Sequence, residues 1–270
     1  MEDILGNRMK DFYENITRYK IPRRSFGIIR VDGKAFHTYT KGFERPFSSV
    51  ITNAMNETAK ALLENIQGSI LAYAQSDEIS ILFTDKQRKN SDMWFDGNIQ
   101  KISSISGSIA TATFNRVMKE LQPDIKKIGL FDARVFTISD LGEVVNYFLW
   151  RQEDAIRNSI QSIGHSIFSQ KQLHKKNNRD IVKMLHEANH NYYDYSILDR
   201  EGRFFIREKV NTQDIEEIKA KYGHFFKKDD PHIKDRKKIV IKSEPWSLSN
   251  SVQFVDMVNY ISQHIYLEKK

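Results

Sequence analysis

The stretch Ile70-Leu-Ala-Tyr-Ala74-Gln75-Ser76-Asp77-Glu78-Ile79-Ser-Ile-Leu-Phe83 holds two apolar runs of strand length parted by four polar residues. Runs rich in Ile, Leu, Tyr and Phe with a short polar break between them form a β-hairpin. Upstream, Ser48 to Asn65 carries Val50, Ala54, Met55, Ala59, Leu62 and Leu63 at helical spacing, with Ser48 as N-cap and Gly68 closing the segment. Before that helix, Ser25-Phe-Gly-Ile-Ile-Arg-Val31 is a short strand broken by Asp32-Gly33. Downstream of the hairpin, residues 91–119 read as helix. Its small residues Ser103, Ser104, Ser106, Gly107, Ser108 and Ala110 permit close packing on a sheet, and Phe131–Ile138 is a fourth strand. The order β-α-β-β-α-β is the ferredoxin-type split unit, a four-stranded antiparallel sheet with helices on one face. The fold class is α+β.

The flanks are less regular. Residues 2–18 read as an amphipathic helix through Ile4, Met9, Phe12, Tyr13 and Ile16, ended by Pro22, and residues 141–168 as one helix or two. From Lys171 to Arg179 the chain is dense in Lys, His and Asn; a helix follows to about His190, then aromatics at Tyr192–Tyr195. A hairpin is expected over Ile197–Val210 around Asp199-Arg-Glu-Gly202, a helix over Thr212–Tyr222 and a charged loop over Lys227–Lys238. A strand over Lys237–Lys242 and a mixed segment over 250–267 complete the chain. The division is an N-terminal helix (1–24), a core (25–160) and a C-terminal α/β appendage (161–270).

The 270 residues are 40% hydrophobic with only 5 Pro, the composition of a folded chain rather than a disordered one. There is no Cys, which excludes disulfides, iron–sulfur clusters and a thiol nucleophile, and the histidines show no zinc-ligand spacing. The charged N-terminus carries no signal-peptide pattern and no run suits a membrane span, so a cytoplasmic protein without membrane contact is expected. Lys+Arg number 42 against 35 Asp+Glu, an excess that suits a polyanionic partner.

In a split βαββαβ sheet the first and third strands are central neighbours. Asp32 ends the first strand and Asp77-Glu78 precede the third, so the topology brings these acids together. Carboxylates so placed repel unless a cation lies between them. Oxygen donors of this kind suit Mg²⁺, which takes one or two carboxylates plus substrate phosphates. Gly33 lets the backbone approach phosphate or offer its carbonyl to metal. This is the donor pattern of two-metal phosphoryl or nucleotidyl transfer. Taken singly, Asp-Gly is also a common turn and a Ser-Asp-Glu tip is ordinarily solvated. Lys34-Ala35-Phe36-His37 begins the turn after the strand, where successive amides can cradle an anion. His37 suits packing or base contact better than catalysis. Neither a GxxxxGK[ST] nor a GxGxxG loop occurs. Candidate phosphate contacts are Arg30, Lys41, Arg45, Arg134 and Arg151, and Lys171, Lys175, Lys176 and Arg179 form a candidate RNA surface.

Arg30-Val-Asp-Gly-Lys-Ala-Phe-His37, Ala72-Tyr-Ala-Gln-Ser-Asp-Glu-Ile-Ser80, Phe131-Asp-Ala-Arg134 and Asn146-Tyr-Phe-Leu-Trp-Arg-Gln-Glu-Asp-Ala155 resemble the tRNA-His guanylyltransferase superfamily, the reverse (3′–5′) polymerases, over residues 25–160. The resemblance implies a polymerase-palm-like core and two Mg²⁺ ions held by Asp32, Asp77 and the Gly33 carbonyl, with Glu78 close by as a third catalytic acid. It implies that the amides of Lys34, Ala35, Phe36 and His37 hold a nucleotide triphosphate, that Ser76 and Asn158 join that site, and that Arg45 and Arg134 bind the activating ATP or GTP. Arg151 and Arg157 join the candidate RNA surface. The family adds nucleotides to the 5′ end of tRNA and commonly forms homo-tetramers. Its eukaryotic members carry His-Ile-Asn-Asn where this chain reads Ile156-Arg-Asn-Ser159. That departure resembles the bacterial and archaeal guanylyltransferase-like branch, which implies template-directed repair of truncated tRNA 5′ ends. The alternatives are addition of a single G at position −1 of tRNA-His, a nucleotidyl cyclase, and a non-catalytic tRNA-binding module.

Overall fold

Apolar alternation on both sides of each central strand leaves the sheet no solvent face, and the protein covers both. A computed structural model describes residues 3–209, 237–241 and 246–265. Helix α1 (Ile4–Met9) runs on through a π-helical turn (Lys10–Glu14) and a 3₁₀ turn (Asn15–Thr17), and none of the three segments buries a residue. Strand β1 (Phe26–Gly33) leads to a short α2 (Phe36–Tyr39) and to α3 (Ser49–Asn65). There the Ser48 hydroxyl accepts from the Ile51 amide, the expected N-cap. Strands β2 (Ser69–Gln75) and β3 (Glu78–Thr84) form the hairpin, its turn shortened to Ser76-Asp77. Helix α4 (Ile99–Leu121) precedes β4 (Phe131–Ile138). A single long helix α5 (Leu141–Ile167) follows, then α6 (Gln170–Leu173), α7 (Asn178–Glu187) and α8 (Ile197–Glu201). Strands β5 (Arg203–Lys209) and β6 (Lys237–Ile241) and helix α9 (Ser251–Ser262) complete the described chain.

The strands form one sheet in the order β4-β1-β3-β2-β5-β6, with every neighbouring pair antiparallel. Its first four strands are the expected split unit, and α3 and α4 pack on one face. Ile29, Val31, Ala72, Ala74, Ile81 and Phe83 point there, against Met55, Leu62 and Phe114. The other face is covered by elements outside the split unit. Phe26, Ile28, Leu71, Tyr73 and Leu82 point to the other face and are buried under Val145 and Phe148 of α5, Trp246, and Met257 and Ile261 of α9. All seven residues of β2 are buried, so both of its faces need a cover.

The C-terminal region is tied into this frame by Gln152 of α5. Its amide donates to the Trp246 carbonyl at 2.6 Å and accepts from the Leu248 amide at 2.7 Å. The hairpin expected over Ile197–Val210 is not formed. Ser196 caps a helical turn through the Leu198 amide, Gly202 ends it at φ 79°, and β5 pairs with β2 on one side and with β6 on the other. A Cβ at Gly202 would lie 2.4 Å from the Tyr73 hydroxyl, so only glycine fits that corner. The expected mixed segment over 250–267 is the regular helix α9. The helix expected over Thr212–Tyr222 lies outside the described residues, as does the charged loop Lys227–Lys238 up to its last two residues, which open β6.

Candidate active site

Sheet register brings the acids together. Asp32 sits opposite Glu78 on β3 and opposite Asp132 on β4, and the Gly33 amide donates to the Asp77 carbonyl at 3.1 Å. The strand-end Asp-Gly and the hairpin turn are thus joined by a hydrogen bond. Ser76 takes a left-handed φ of 46° in the two-residue turn, and its hydroxyl donates to Asp77 Oδ1 at 2.9 Å. Burial pushes the Asp77 carboxyl above its ordinary range; the Ser76 hydroxyl and Asp77's own backbone oppose this, and the charges of Asp32 and Glu78 add to the rise. A cation at this point would favour the ionised form of Asp77. The donors are two carboxylates and a backbone carbonyl, and among the described residues no three His or acidic side chains form a complete cage. That open donor set fits Mg²⁺ whose shell is completed by phosphate oxygens.

Glu78, expected as a catalytic acid, is placed differently. Both of its oxygens are held by Arg151, at 2.7 and 2.8 Å, in a pair whose side chains are 12% and 8% exposed. Arg151 also donates to Asp154 at 2.8 Å. Its guanidinium is therefore turned into the protein, which corrects its assignment to an RNA-facing or phosphate-binding surface. The pair fastens α5 to the start of β3, one residue from Asp77, and so supports the site without opening into it.

Of the amides expected to hold phosphate, that of Lys34 is already committed to the Leu130 carbonyl at 2.8 Å. Those of Ala35, Phe36 and His37 have no backbone acceptor among the described residues. Ala35 adopts a left-handed φ of 53° at the entry to α2, a strained conformation for a residue with a Cβ. The Phe36 ring is buried against Tyr39, Phe114 and Phe131, so only its backbone can meet a ligand. Arg134 lies on the edge strand, half-exposed, with Nη2 3.6 Å from Asp32 Oδ2 and Nε 3.8 Å from Asp132.

A cavity of about 450 Å³ opens beside this acidic turn, reaching between α5 and the loop after α2. Phe36, His37, Arg45, Ser76, Asp77 and Asn158 line it, bringing six of the expected residues to one space. Phe43, Phe47, Ile51 and Ala155 give it apolar walls. Its lining also includes Gln75 and Asp199, which were not among the sequence candidates. Arg157 is exposed and paired with Asp154 at 2.9 Å, and Asn158 donates to the same carboxylate at 3.3 Å. Lys171, Lys175, Lys176 and Arg179 are all exposed on α6 and the entry to α7, away from the cavity lining.

Residues 6–139 match the family described as Thg1: tRNAHis guanylyltransferase. The structure of a bacterial tRNA(His) guanylyltransferase (Thg1)-like protein in complex with ATP superposes with a TM-score of 0.79 at 38% identity, covering 97% of this chain and 100% of that one. A structure described as the same type of protein in complex with GTP gives a TM-score of 0.75 at 35% identity, covering 98% and 100%. The tRNA(His) guanylyltransferase of Debaryomyces hansenii is 31% identical over 139 residues, 49% of this chain and 51% of that enzyme. This chain thus spans about half the length of that curated relative. Fold and sequence agree over the length of the bacterial proteins, and the chain belongs to the tRNA(His) guanylyltransferase (Thg1) family of nucleotidyltransferases.

Proposed function

We propose that this protein adds nucleotides in the 3′–5′ direction to the 5′ end of truncated tRNA, with the opposite strand as template. The observation that carries the reading is the joining of Asp32-Gly33 to the Asp77 turn at the mouth of a nucleotide-sized cavity. In the first step a 5′-phosphate oxygen of the tRNA attacks the α-phosphorus of ATP and pyrophosphate leaves. In the second, the 3′-hydroxyl of an incoming NTP attacks the activated 5′-phosphorus and AMP leaves. Two Mg²⁺ ions held by Asp32, Asp77 and the Gly33 carbonyl would lower the pKa of the attacking hydroxyl and stabilise the leaving oxygens.

The chain's own groups supply position and charge. The amides of Ala35, Phe36 and His37 hold the triphosphate of one nucleotide, and Arg45 and Arg134 meet the phosphates of the other. Ser76 orients Asp77 by its hydrogen bond. The Lys171–Arg179 face holds tRNA by its backbone. Support comes from the relatives whose structures contain ATP and GTP. Four copies acting together in the cytoplasm belong to the same proposal, and no helix among the described residues is long and apolar enough to cross a membrane.

The test is an extension assay on 5′-labelled tRNA lacking its first nucleotide, with Mg²⁺, ATP and each NTP separately, for wild type and Asp77→Ala. Addition of the complementary nucleotide alone, lost in the variant, is the expected result. Addition of G whatever base stands opposite would overturn template direction in favour of guanylyl transfer to tRNA-His. A cyclic product from NTP alone, or no extension, would overturn the reading altogether.

A further inference from the structure

Strand alternation puts a second set of polar groups on the sheet face that α5 covers. Ile28 of β1 and Phe136 of β4 stand opposite each other beneath that helix. Two residues nearer the acids Arg30 stands opposite Arg134, and two further on Asp32 stands opposite Asp132. Arg30 is half-buried, yet its side chain makes no ion pair or hydrogen bond among the described residues. A cation so placed calls for an anion. Trp150 of α5 stands beside these groups. One helical turn before it, the Tyr147 ring lies 5.6 Å from that of Phe136, and the Tyr147 and Ser80 hydroxyls are hydrogen-bonded at 2.7 Å. Ser80 is the residue of β3 opposite Arg30. Trp150 packs on Tyr147 at 5.9 Å, and the Arg151 guanidinium lies 4.5 Å from its ring centre. Arg151 is itself forked onto Glu78, opposite Asp32. The indole is thus held at the end of the sheet where the acids meet, and it is still 48% exposed. Neither Trp150 nor Arg30 nor Arg134 lines the cavity beside Asp77, so these groups make a separate place.

We propose that Trp150 is the stacking platform for the base of the activating nucleotide, whose phosphates meet Arg134 and Arg30. The inference rests on the two-nucleotide reading above and deepens it. An aromatic ring already fixed by its neighbours loses little freedom when a base settles on it. Stacking engages the face of a base and leaves its edge unread, so it tolerates any base that offers enough surface. That suits a nucleotide consumed for its phosphate, whose base has no template to match. The incoming nucleotide, seated in the cavity, keeps its pairing edge for the opposite strand. A purine covers more of an indole than a pyrimidine does, so ATP and GTP serve alike and UTP poorly.

Trp94 and Trp246 are 8% and 3% exposed, so acrylamide quenching of the full chain's tryptophan fluorescence reads Trp150. With Mg²⁺ present, non-hydrolysable ATP and GTP analogues should shield it equally, a UTP analogue less and inorganic tripolyphosphate not at all. In the activation of 5′-monophosphorylated tRNA, Trp150→Ala should raise the KM for ATP about tenfold with kcat little changed. Trp150→Phe should restore most of that loss, and thermal melting checks that both variants fold. An unaltered KM for ATP in folded Trp150→Ala overturns the assignment, as does shielding by tripolyphosphate equal to that by ATP. Shielding by tRNA alone, with none by ATP, overturns it in favour of the RNA end stacking on Trp150. If Trp150→Ala does not fold, the wild-type quenching decides: no shielding by ATP overturns it. Wild type that is shielded by ATP but neither activates nor extends tRNA would sink the proposed function and leave the stacking site standing. Wild type that extends tRNA while Trp150 stays unshielded would sink the stacking site alone.

Discussion

Asp77 is the residue on which chemistry and stability pull in opposite directions. Its carboxyl titrates above the ordinary range, chiefly through burial and further through Asp32 and Glu78. A carboxyl raised in the folded state costs nothing where it is protonated, and costs stability as pH climbs from the unfolded value through the raised one. Metal-free protein should therefore lose stability over that interval, and Asp77→Asn should raise its Tm by about 2–4 °C for each kcal/mol relieved. The gain should be present at neutral pH and vanish below about pH 3, where the carboxyl is protonated in both states. Differential scanning calorimetry in a chelator across that range checks it; a less stable Asn variant at neutral pH would mean the carboxylate anchors the turn. The meeting of Asp32 with Asp77 was legible because strand order alone dictates it. The need of Arg30 for an anion was not, because only the folded chain reveals that its guanidinium has found no partner among the described residues.

At the scale of the element, α5 explains what sequence patterns could not. Trp150, Arg151 and Gln152 are consecutive on one helix but look three ways. Trp150 is 48% exposed, Arg151 turns in to Glu78, and Gln152 grips the segment at Trp246 and Leu248. A charged residue on a long helix reads as solvated, and its partner 73 positions away is invisible to any local pattern. Removing Arg151 leaves the Glu78 carboxylate without its counter-charge in a nearly dry setting, while Asp154 keeps Arg157. Arg151→Ala should cost about 3–5 kcal/mol in urea unfolding. Arg157→Ala, at an exposed pair on the same helix, should stay within about 1 kcal/mol. Equal effects would show that the Glu78 pair carries no special weight. Strands and crossover helices were readable because their periodicity is local. The second cover of the sheet was not, since it is built from α5 and the distant α9.

Over the whole molecule, acidic chemistry and basic surface are separated: the Asp32–Asp77 turn lies on the sheet, the Lys171–Arg179 face on α6 and α7. Charge on that face should set how tRNA is held without touching the reaction. Changing Lys171, Lys175, Lys176 and Arg179 together to Ala should weaken tRNA binding and flatten its log–log salt dependence by about 3, at roughly 0.7–0.9 for each phosphate no longer neutralised. Affinity for nucleotide should be unchanged. Filter binding from low to moderate salt gives the slope, and an unchanged slope would remove these residues from the RNA path.

The placement of β5 carries one more consequence. The split unit closes with β2 at its rim, and only the arrival of Arg203–Lys209 turns that rim into an interior strand. A chain halted before residue 203 would present an unpaired backbone edge, apolar on both sides, to any other copy emerging beside it. The catalytic core is thus not a freestanding module. It waits on a partner strand from far along the chain, a late, long-range closure that makes nascent or clipped forms the ones prone to aggregate.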